Sequence, residues 1–422
     1  MKISRIRIEN YKAIKALDID CRKQINCFVG MNGSGKTTLL NAINILMSWF
    51  VARLKSPTGR GLSIDDKDIS YGAKYCLLEV ELDNEIKWTL YKQRSSNREK
   101  LEYKTSLEQL NGYVANLLKT YSLENNQCEL PTFSFYPVNR SIVNVPLRIV
   151  KKHAMSGLDA YNKPSETTTD FTSFFEWFRE REDEENEQYR QLGYLKEDSQ
   201  LKAVRDAIGK VLPEYSNFRV QRNPRAFVMD KNGQKCSFEQ LSDGEKCYIA
   251  LIADIARRLS MTHTSFENAL EGCGVVLIDE VDLHLHPIWQ IELIEKLRKT
   301  FPNCQFFITT HSPLVITDIC KNENDAYLMV KDGVVDADPI DVFGGNVDEI
   351  LTVAFNMGTT RSQRVSERME VIIKKLNAGE IDSIEFTENM EWLKDNIDNN
   401  DPFFAKVGLM LMKNKKEHEK SK

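Results

Sequence analysis

Apolar positions along the chain change their period several times, and these changes predict a chain of mixed strands and helices. Alternating or continuous apolar runs are typical of strands, whereas apolar residues three or four positions apart are typical of one helix face. The predicted strands are 3–8, 24–29, 75–82, 86–92, 133–138, 274–279, 304–309 and 326–331. The predicted helices are 37–54, 101–122, 198–212, 243–260, 287–300 and 313–320.

From residue 243 onward strands and helices alternate, which predicts a largely parallel sheet with helices on its faces. Two short strands are expected around the Asn232-Gly233 turn, and 345–422 has a helical pattern throughout. The charge-dense run 179–187 (REREDEENE) has two interpretations. The simpler is a solvated helix face, and the alternative is a contact with a partner.

The segment 30–37 (GMNGSGKT) matches GxxxxGK[ST] and lies between a predicted strand and a predicted helix, which is the context of a phosphate-binding loop. Its glycines let successive backbone N–H groups point at phosphate oxygens, and the helix N-terminus adds a favourable partial charge. Lys36 is expected to reach the β- and γ-phosphates of ATP as a catalytic residue, and Thr37 to ligate Mg²⁺. The residues expected to bind ATP here are Asn32, Gly33, Ser34, Gly35, Lys36, Thr37 and Thr38.

The predicted strand 274–279 ends in Asp279 and Glu280, the pattern of a Walker B element. Two carboxylates after an apolar run are also found where a buried strand merely ends in polar residues, but their place after a phosphate loop favours the Walker B interpretation. Asp279 is then expected to hold Mg²⁺ through water. Glu280 is expected to act as the general base that polarises the attacking water.

The segment 241–246 (LSDGEK) opens the predicted helix 243–260. Serine and glycine at a helix start offer backbone N–H groups to an anion. The alternative is an ordinary capped helix, with Ser242 as N-cap and Glu245 as its reciprocal partner. The position of this segment between the phosphate loop and the Walker B element favours anion binding by Ser242, Gly244 and Glu245.

Two histidine patterns follow the Walker B element. His311 comes directly after a strand predicted to lie beside the Walker B strand, which suits a contact with the γ-phosphate, so His311 is a candidate catalytic residue. His284 and His286 form an HxH pattern that also occurs in metal sites. Their position favours a structural or interface role instead.

These four motifs, in this order, resemble the ATP-binding-cassette ATPase superfamily. The resemblance implies an α/β P-loop NTPase with an ATP-binding-cassette-type head: a mixed β sheet flanked by helices, with ATP and Mg²⁺ as cofactors. In that superfamily two heads enclose two ATP molecules, so a homodimer or higher oligomer is expected. By the resemblance, Ser242 and Gly244 contact the nucleotide of the second subunit, and His311 is the switch histidine.

The segments 279–287 (DEVDLHLHP) and 5–20 (RIRIENYKAIKALDID) resemble the RecF, Rad50 and OLD-type ATPases more than transporter cassettes. The tail at 343–405 resembles PtuA-type ATPases of Septu and retron anti-phage systems. By this resemblance the partner is an HNH-type nuclease and, in retrons, also a reverse transcriptase with its small DNA. The ATPase would control the nuclease according to its nucleotide state.

Lys36 and Ser242 are farther apart than the same motifs in transporter cassettes, which predicts an insertion. The expected organisation has four parts: the first part of the head with the phosphate loop, a mainly helical insertion, the second part of the head, and a helical C-terminal region. Their bounds are 1–144, 145–212, 213–342 and 343–422. Arg140 either serves near the site or pairs with an acidic neighbour, and Lys12 either approaches the nucleotide or is a surface lysine.

Composition and charge narrow the function. The 57 Lys+Arg and 62 Asp+Glu leave a net charge of −5, which excludes nucleic-acid binding by bulk charge, so DNA contact would need a local patch or a partner. Nine cysteines without CxxC spacing favour free thiols in a reducing compartment. With no leader-like start and no run of 18 apolar residues, we expect a cytoplasmic protein without a membrane contact.

The interpretation is an ATPase that regulates an anti-phage complex, and the alternative is a RecF- or Rad50-like ATPase of DNA repair or chromosome maintenance. A transporter subunit would need a membrane partner. A self-contained nuclease would need a metal-binding carboxylate cluster, for which Asp336-Ala337-Asp338 is formally DxD. Because this triplet lies near a turn and Pro339, a strand-edge loop is the better interpretation.

Overall fold

A computed structural model describes residues 1–97, 102–123, 129–140, 157–161, 171–194, 197–264, 268–319, 324–336, 341–355 and 357–420. The chain forms two compact units, Met1–Val347 and Asp348–Lys422. Asp338 of the DxD triplet and the first part of the predicted insertion, 145–156, lie outside the described residues.

All strands of the described residues lie in the first unit. They are β1 (Ile3–Tyr11), β2 (Ile14–Asp20), β3 (Ile25–Val29), β4 (Tyr75–Leu82), β5 (Lys87–Gln93), β6 (Thr132–Tyr136), β7 (Tyr215–Arg222), β8 (Arg225–Lys231), β9 (Gln234–Ser237), β10 (Gly274–Ile278), β11 (Cys304–Thr310), β12 (Asp325–Lys331) and β13 (Val334–Asp336). The α-helices of the described residues are α1 (Lys36–Lys55), α2 (Glu108–Leu123), α3 (Thr172–Leu192), α4 (Ser199–Val211), α5 (Asp243–Thr262), α6 (Pro287–Thr300), α7 (Pro313–Ile316), α8 (Val347–Val353), α9 (Gln363–Ala378), α10 (Ile384–Asn396) and α11 (Pro402–Lys420).

The central sheet has the strand order β13-β12-β3-β11-β10-β6. All neighbours pair in parallel except β12 and β13, which pair antiparallel. Thr310 pairs with Val29 and Ile278 with Ile308, so β3, β10 and β11 end at the same edge. This confirms the predicted mixed α/β sheet, and it brings the segments that follow these three strands together.

A second, antiparallel sheet has the order β2-β1-β4-β5, and α1 packs against both it and the central sheet. Thirteen of the twenty α1 residues are buried, among them Leu39, Ile43 and Phe50. By length and composition alone α1 could cross a membrane, but 67% of its apolar window is buried inside the protein. Its apolar surface is therefore explained by its place in the core.

Several predicted elements differ in the structure. The opening strand continues to Tyr11 and is followed by β2, which the pattern did not predict. Where two strands were expected around Asn232-Gly233, β7, β8 and β9 form a three-stranded antiparallel sheet. The predicted helix 313–320 is wrong in length, since α7 ends after one turn at Ile316.

The charged run 179–187 lies on α3, and it is not simply a solvated face. Glu182 and Glu185 are buried, although the residues between them are exposed. Glu182 accepts hydrogen bonds from the Val220 backbone N–H at 3.0 and 3.1 Å. Arg205 on α4 lies 3.2 Å from the Glu185 carboxylate. Glu182 therefore joins α3 to β7, and Glu185 joins α3 to α4.

The second unit is helical. Met369, Ile372, Leu376, Leu393 and Val407 form its buried core. The guanidinium groups of Arg364 and Arg368 stack over the ring of Trp392, at 4.9 and 4.4 Å from its centre. The unit thus folds around its own small core.

Candidate active site

The phosphate loop after β3 can be built only with glycine at several of its positions. Gly33 and Gly35 have φ values of 79° and 111°, which side chains rarely adopt. A Cβ at Gly30 would lie 2.2 Å from the carbonyl oxygen of Val330 on β12, so this glycine lets the loop pass close to the neighbouring strand. Gly35 is the N-cap of α1, whose first N–H groups therefore face the loop.

Lys36 is 5% exposed and lies inside this loop. Its Nζ donates hydrogen bonds to the carbonyl oxygens of Gly30 at 2.8 Å and Met31 at 3.0 Å. Burial lowers the pKa of Lys36, although the carboxylates of Asp279 and Glu280 oppose that shift. An ammonium held by two neutral carbonyls is well placed to exchange them for phosphate oxygens.

Asp279 stands at the end of β10, next to the loop. It is 1% exposed, and its Oδ1 accepts hydrogen bonds from Thr37 Oγ1 at 3.1 Å and Thr309 Oγ1 at 2.5 Å. The contact with Thr37 agrees with the sequence analysis, which expected Thr37 and Asp279 at the same Mg²⁺ site. Thr309, on β11, was missed because a threonine within a strand carries no distinctive signal.

Glu280 follows with a backbone φ of 48°, which is uncommon for any residue other than glycine. Its backbone N–H donates to Thr309 Oγ1 at 2.7 Å. Thr309 therefore contacts both Walker B residues, and it fixes the point where the chain turns out of β10.

His311, after β11, completes the edge of the sheet. Its Nδ1 lies 3.5 Å from Lys36 Nζ. Burial and the neighbouring Lys36 ammonium lower the pKa of His311, a shift that favours the neutral imidazole. A neutral imidazole can either donate or accept a hydrogen bond here.

Arg140, which the sequence left with two possible roles, lies beneath the Walker B residues. It is 5% exposed, and its guanidinium donates to the carbonyl oxygens of Asp279, Glu280 at 2.6 Å and Pro137 at 3.1 Å. Arg140 therefore lies near the site, and its described hydrogen bonds are with main-chain carbonyls rather than with an acidic side chain.

The signature segment forms a capped helix start. Ser242 Oγ accepts from the Glu245 N–H at 3.3 Å, and Glu245 Oε2 accepts from the Ser242 N–H at 2.7 Å. Burial raises the pKa of Glu245, but hydrogen bonds from Lys231, Tyr215 and Ser242 outweigh it and lower that pKa to about 2. The capping interpretation is thus confirmed for this chain, and Ser242 itself remains exposed.

Gly244 packs directly on the segment after the Walker B element. A Cβ at Gly244 would lie 2.1 Å from the carbonyl oxygen of His284. His286 caps α6 by accepting from the Ile288 N–H at 3.3 Å, which supports a structural role for this histidine. Within the described parts of the chain, no group of three or more His, Cys, Asp or Glu side chains could hold a metal by itself.

Lys12, the other residue left with two interpretations, lies in the turn between β1 and β2. Its Nζ is 3.5 Å from Asp68 Oδ1 and 5.4 Å from the centre of the Tyr11 ring. These contacts are typical of a partly exposed surface lysine.

The residues present fit a magnesium–nucleotide complex. Mg²⁺ in nucleotide sites is held by one or two protein oxygens together with phosphates and water, and Thr37 Oγ1 and Asp279 Oδ1 offer two such oxygens 3.1 Å apart. Ser34 Oγ is buried in the loop and has no hydrogen-bond partner among the described residues. It is therefore free to donate to a phosphate.

The parallel sheet, the phosphate loop and the buried aspartate define a P-loop nucleotide-binding head. A family model described as "AAA domain, putative AbiEii toxin, Type IV TA system" matches residues 25–317. The chain belongs to this family of AAA-domain proteins.

Known relatives refine that membership. "Retron Vc95 probable ATPase" of Vibrio cholerae serotype O1 biovar El Tor is 30% identical over 435 residues, covering 89% of this chain and 82% of the relative. "Septu protein PtuA" of Bacillus thuringiensis is 25% identical over 398 residues, covering 89% of each chain. "DNA double-strand break repair Rad50 ATPase" of Pyrococcus abyssi is 28% identical over 129 residues, 28% of this chain and 14% of that protein. The resemblance to retron, Septu and Rad50-type ATPases is therefore confirmed.

Proposed function

We propose that this chain binds ATP with Mg²⁺ at the carboxyl edge of its central sheet and hydrolyses it to ADP and phosphate. The observation that carries the proposal is the meeting of three sequence-distant motifs. Thr37 lies 3.1 Å from Asp279, and Lys36 lies 3.5 Å from His311. Nucleotide hydrolysis needs this combination of a phosphate cradle, a metal-holding acid and a group on the γ-phosphate.

Each residue has a role in this mechanism. The backbone N–H groups of residues 32–38 bind the phosphates, and Lys36 leaves its two carbonyls for the β- and γ-phosphates. Thr37 would ligate Mg²⁺ and Asp279 would hold it through water, and the ion would neutralise charge on the phosphates. Glu280 accepts a proton from the attacking water, and His311 contacts the γ-phosphate.

The second half of the site comes from another copy of the chain in this proposal. Ser242 is exposed at the N-terminus of α5, where backbone N–H groups favour an anion. Ser242 and Gly244 contact the γ-phosphate bound by the other subunit. Glu245 does not contact the nucleotide in this proposal, since its carboxylate is already held by Lys231 and Tyr215. Its role is to fix the position of Ser242 through the helix cap.

The biological role that we infer is anti-phage defence in the cytoplasm. It is supported by the relatives named for a retron and for Septu, which this chain matches over 89% of its length. We propose that its nucleotide state controls a partner HNH-type nuclease, and that in a retron a reverse transcriptase with its small DNA completes the complex.

Lys36→Ala tests both parts of the proposal. The variant should lose measurable binding of a fluorescent ATP analogue, because it removes the cation that contacts two phosphates. In cells that carry the gene with its neighbouring genes, the variant should also lose protection in a phage plating assay. Lys67→Ala is the matched control, since Lys67 is a lysine whose side chain is 81% exposed. Unchanged ATP binding by Lys36→Ala would refute the site, and lost ATP binding with full protection would refute the proposed control of defence by the nucleotide state.

A second candidate is a DNA repair or chromosome-maintenance ATPase, which the Rad50 match favours. This candidate predicts that duplex DNA stimulates ATP hydrolysis. It also predicts that the chain binds duplex DNA and that this binding weakens steeply as the salt concentration rises. Titration of the purified chain with duplex DNA at two salt concentrations distinguishes the candidates. Binding that is absent at low salt would remove this one.

A further inference from the structure

We propose that Arg140 is a positioning residue for the general base: it fixes the main chain of Asp279 and Glu280 so that the Glu280 carboxylate faces the attacking water. The inference rests on the proposed function, because it assigns Arg140 a part in ATP hydrolysis at the same site. Arg140 itself touches no reacting atom in this scheme.

The first support is the way the guanidinium is used. Two of its nitrogens donate to successive carbonyl oxygens, those of Asp279 and Glu280, and it is also held by the Pro137 carbonyl at 3.1 Å. Charged donors form short, strong hydrogen bonds, and the planar guanidinium adds a fixed direction. A buried arginine in this arrangement defines where a short stretch of backbone lies.

The second support is the backbone that it holds. Glu280 has a φ of 48°, and a non-glycine residue stays in this region only when its surroundings impose it. Both sides of the residue are fixed: its N–H donates to Thr309 Oγ1 at 2.7 Å, and its carbonyl accepts from Arg140 at 2.6 Å. Thr309 and Arg140 thus hold Glu280 from two directions.

The third observation in support is a contact between Arg140 and α5, the helix that begins in the signature segment. The Arg140 carbonyl accepts from Cys247 Sγ at 3.4 Å, in the second turn of α5. Nearby, the Tyr136 hydroxyl donates to Asp254 of the same helix at 2.9 Å, and the Tyr136 carbonyl accepts from the Asp279 N–H at 2.9 Å. The chain from β6 to Arg140 therefore touches α5 on one side and the Walker B residues on the other.

The test separates positioning from ATP binding and from folding. In the full chain, Arg140→Gln should lower kcat about 10- to 100-fold, because misplacing a catalytic group by about an ångström has an effect of this order. Its affinity for ATP should stay within about two-fold, since Arg140 lies under the Walker B backbone and not on the phosphate loop. Arg140→Lys can keep a hydrogen bond to one of the two carbonyls, that of Asp279 or that of Glu280. Its kcat should therefore lie between those of Arg140→Gln and the wild type.

Arg298→Gln is the matched control, because Arg298 is another largely buried arginine and pairs with Asp325 at 2.6 Å on β12. It should lower the thermal midpoint without changing kcat. Wild-type kcat in a folded Arg140→Gln would overturn the inference, as would parallel losses of kcat and ATP affinity. If Arg140→Gln does not fold, the same two criteria apply to Arg140→Lys. A wild-type chain that does not hydrolyse ATP, or a Glu280→Gln chain as fast as wild type, overturns the proposed function and this inference with it.

Discussion

The two regions that carry the nucleotide motifs differ in what their side chains contact. At the carboxyl edge of the central sheet, residues of one motif bond to residues of another: Thr37 to Asp279, and Lys36 to His311. At the start of α5, Ser242 and Glu245 bond to each other, and Ser242 is exposed. The first region joins three motifs within one chain, whereas in the second the capped start of α5 leaves Ser242 exposed. This difference supports our proposal that the first region binds the nucleotide of its own chain, whereas the start of α5 contacts the nucleotide of another subunit.

The substitution with the largest expected effect changes the first region and leaves the second unchanged. Glu280→Gln should lower kcat by about 10²- to 10⁴-fold, the usual contribution of a general base. ATP binding should persist, because Lys36, Thr37 and Asp279 are unchanged. The measurement is single-turnover hydrolysis together with light scattering, which should report a dimer that persists in the presence of ATP.

The matched control for that experiment is Glu292→Gln on α6, whose carboxylate pairs with Lys296 at 2.7 Å on the helix surface. It should hydrolyse ATP at the wild-type rate. A Glu280→Gln chain that stays monomeric with ATP bound would contradict the division between the two regions.

The next effect concerns the far end of α5. His263 directly follows this helix, is fully buried, and accepts a hydrogen bond from the Cys273 N–H at 3.0 Å. Burial lowers the pKa of His263 to about 4. Between pH of about 6.5 and about 4 the unfolded chain therefore binds a proton that the folded chain does not, so the free energy of unfolding falls as the pH falls, by up to about 3 kcal/mol.

Urea unfolding across that pH range measures this effect. His263→Gln, which binds no proton, should be less stable near neutral pH and should lack this part of the pH dependence. Equal dependence of the free energy of unfolding on pH in the two proteins would show that the fold does not hold His263 neutral.

The convergence of the motifs in the first region was predictable from the sequence, for a physical reason. The carboxyl ends of parallel strands meet at one edge, so the motifs after β3, β10 and β11 had to converge once the strands were recognised. Thr309 was not predictable as a contact of this edge, and the sequence left Arg140 with two possible roles, one near the site and one in an ion pair. Their partners are a carboxylate and backbone groups brought close by the fold, and a sequence does not show which acceptor a side chain will reach.

The segment 145–212, which we predicted to be an insertion, was described less well by its sequence pattern, because Glu182 and Glu185 contact residues far along the chain. Glu182 looked like one charge of a solvated run, yet it is buried against Val220 and faces Arg205 and Arg222 at 3.6 and 3.7 Å. The end of α7 at Ile316 was missed as well, since a proline at the first helical position marks where a helix begins and not where it ends.

A smaller effect tests how the metal-holding acid is oriented. Thr309→Val keeps the shape of the side chain but removes the hydroxyl that bonds to Asp279 and Glu280. The Mg²⁺ concentration needed for half-maximal hydrolysis should rise about 10-fold, the usual effect of losing a group that orients a metal ligand. Thr132→Val is the control, because its hydroxyl bonds to Thr262 at 2.6 Å and to neither Walker B residue in the described contacts. Equal Mg²⁺ dependence in the two variants would show that Asp279 does not need Thr309.

The prediction with the smallest effect on stability tests the second region, at the start of α5. Ser242→Ala removes the helix cap and should lower the free energy of unfolding by about 1 kcal/mol, whereas Ser242→Asp keeps a good cap and should change it little. Both variants should lose ATP hydrolysis while still binding ATP, Ala because it lacks the hydroxyl and Asp because its charge repels the γ-phosphate of the other subunit. Mixing Ser242→Asp with Lys36→Ala should restore part of the activity, because a mixed dimer contains one site with an intact loop and an intact signature. If the mixture stays inactive, Ser242 acts within its own chain, and the contrast between the two regions is only one of helix capping.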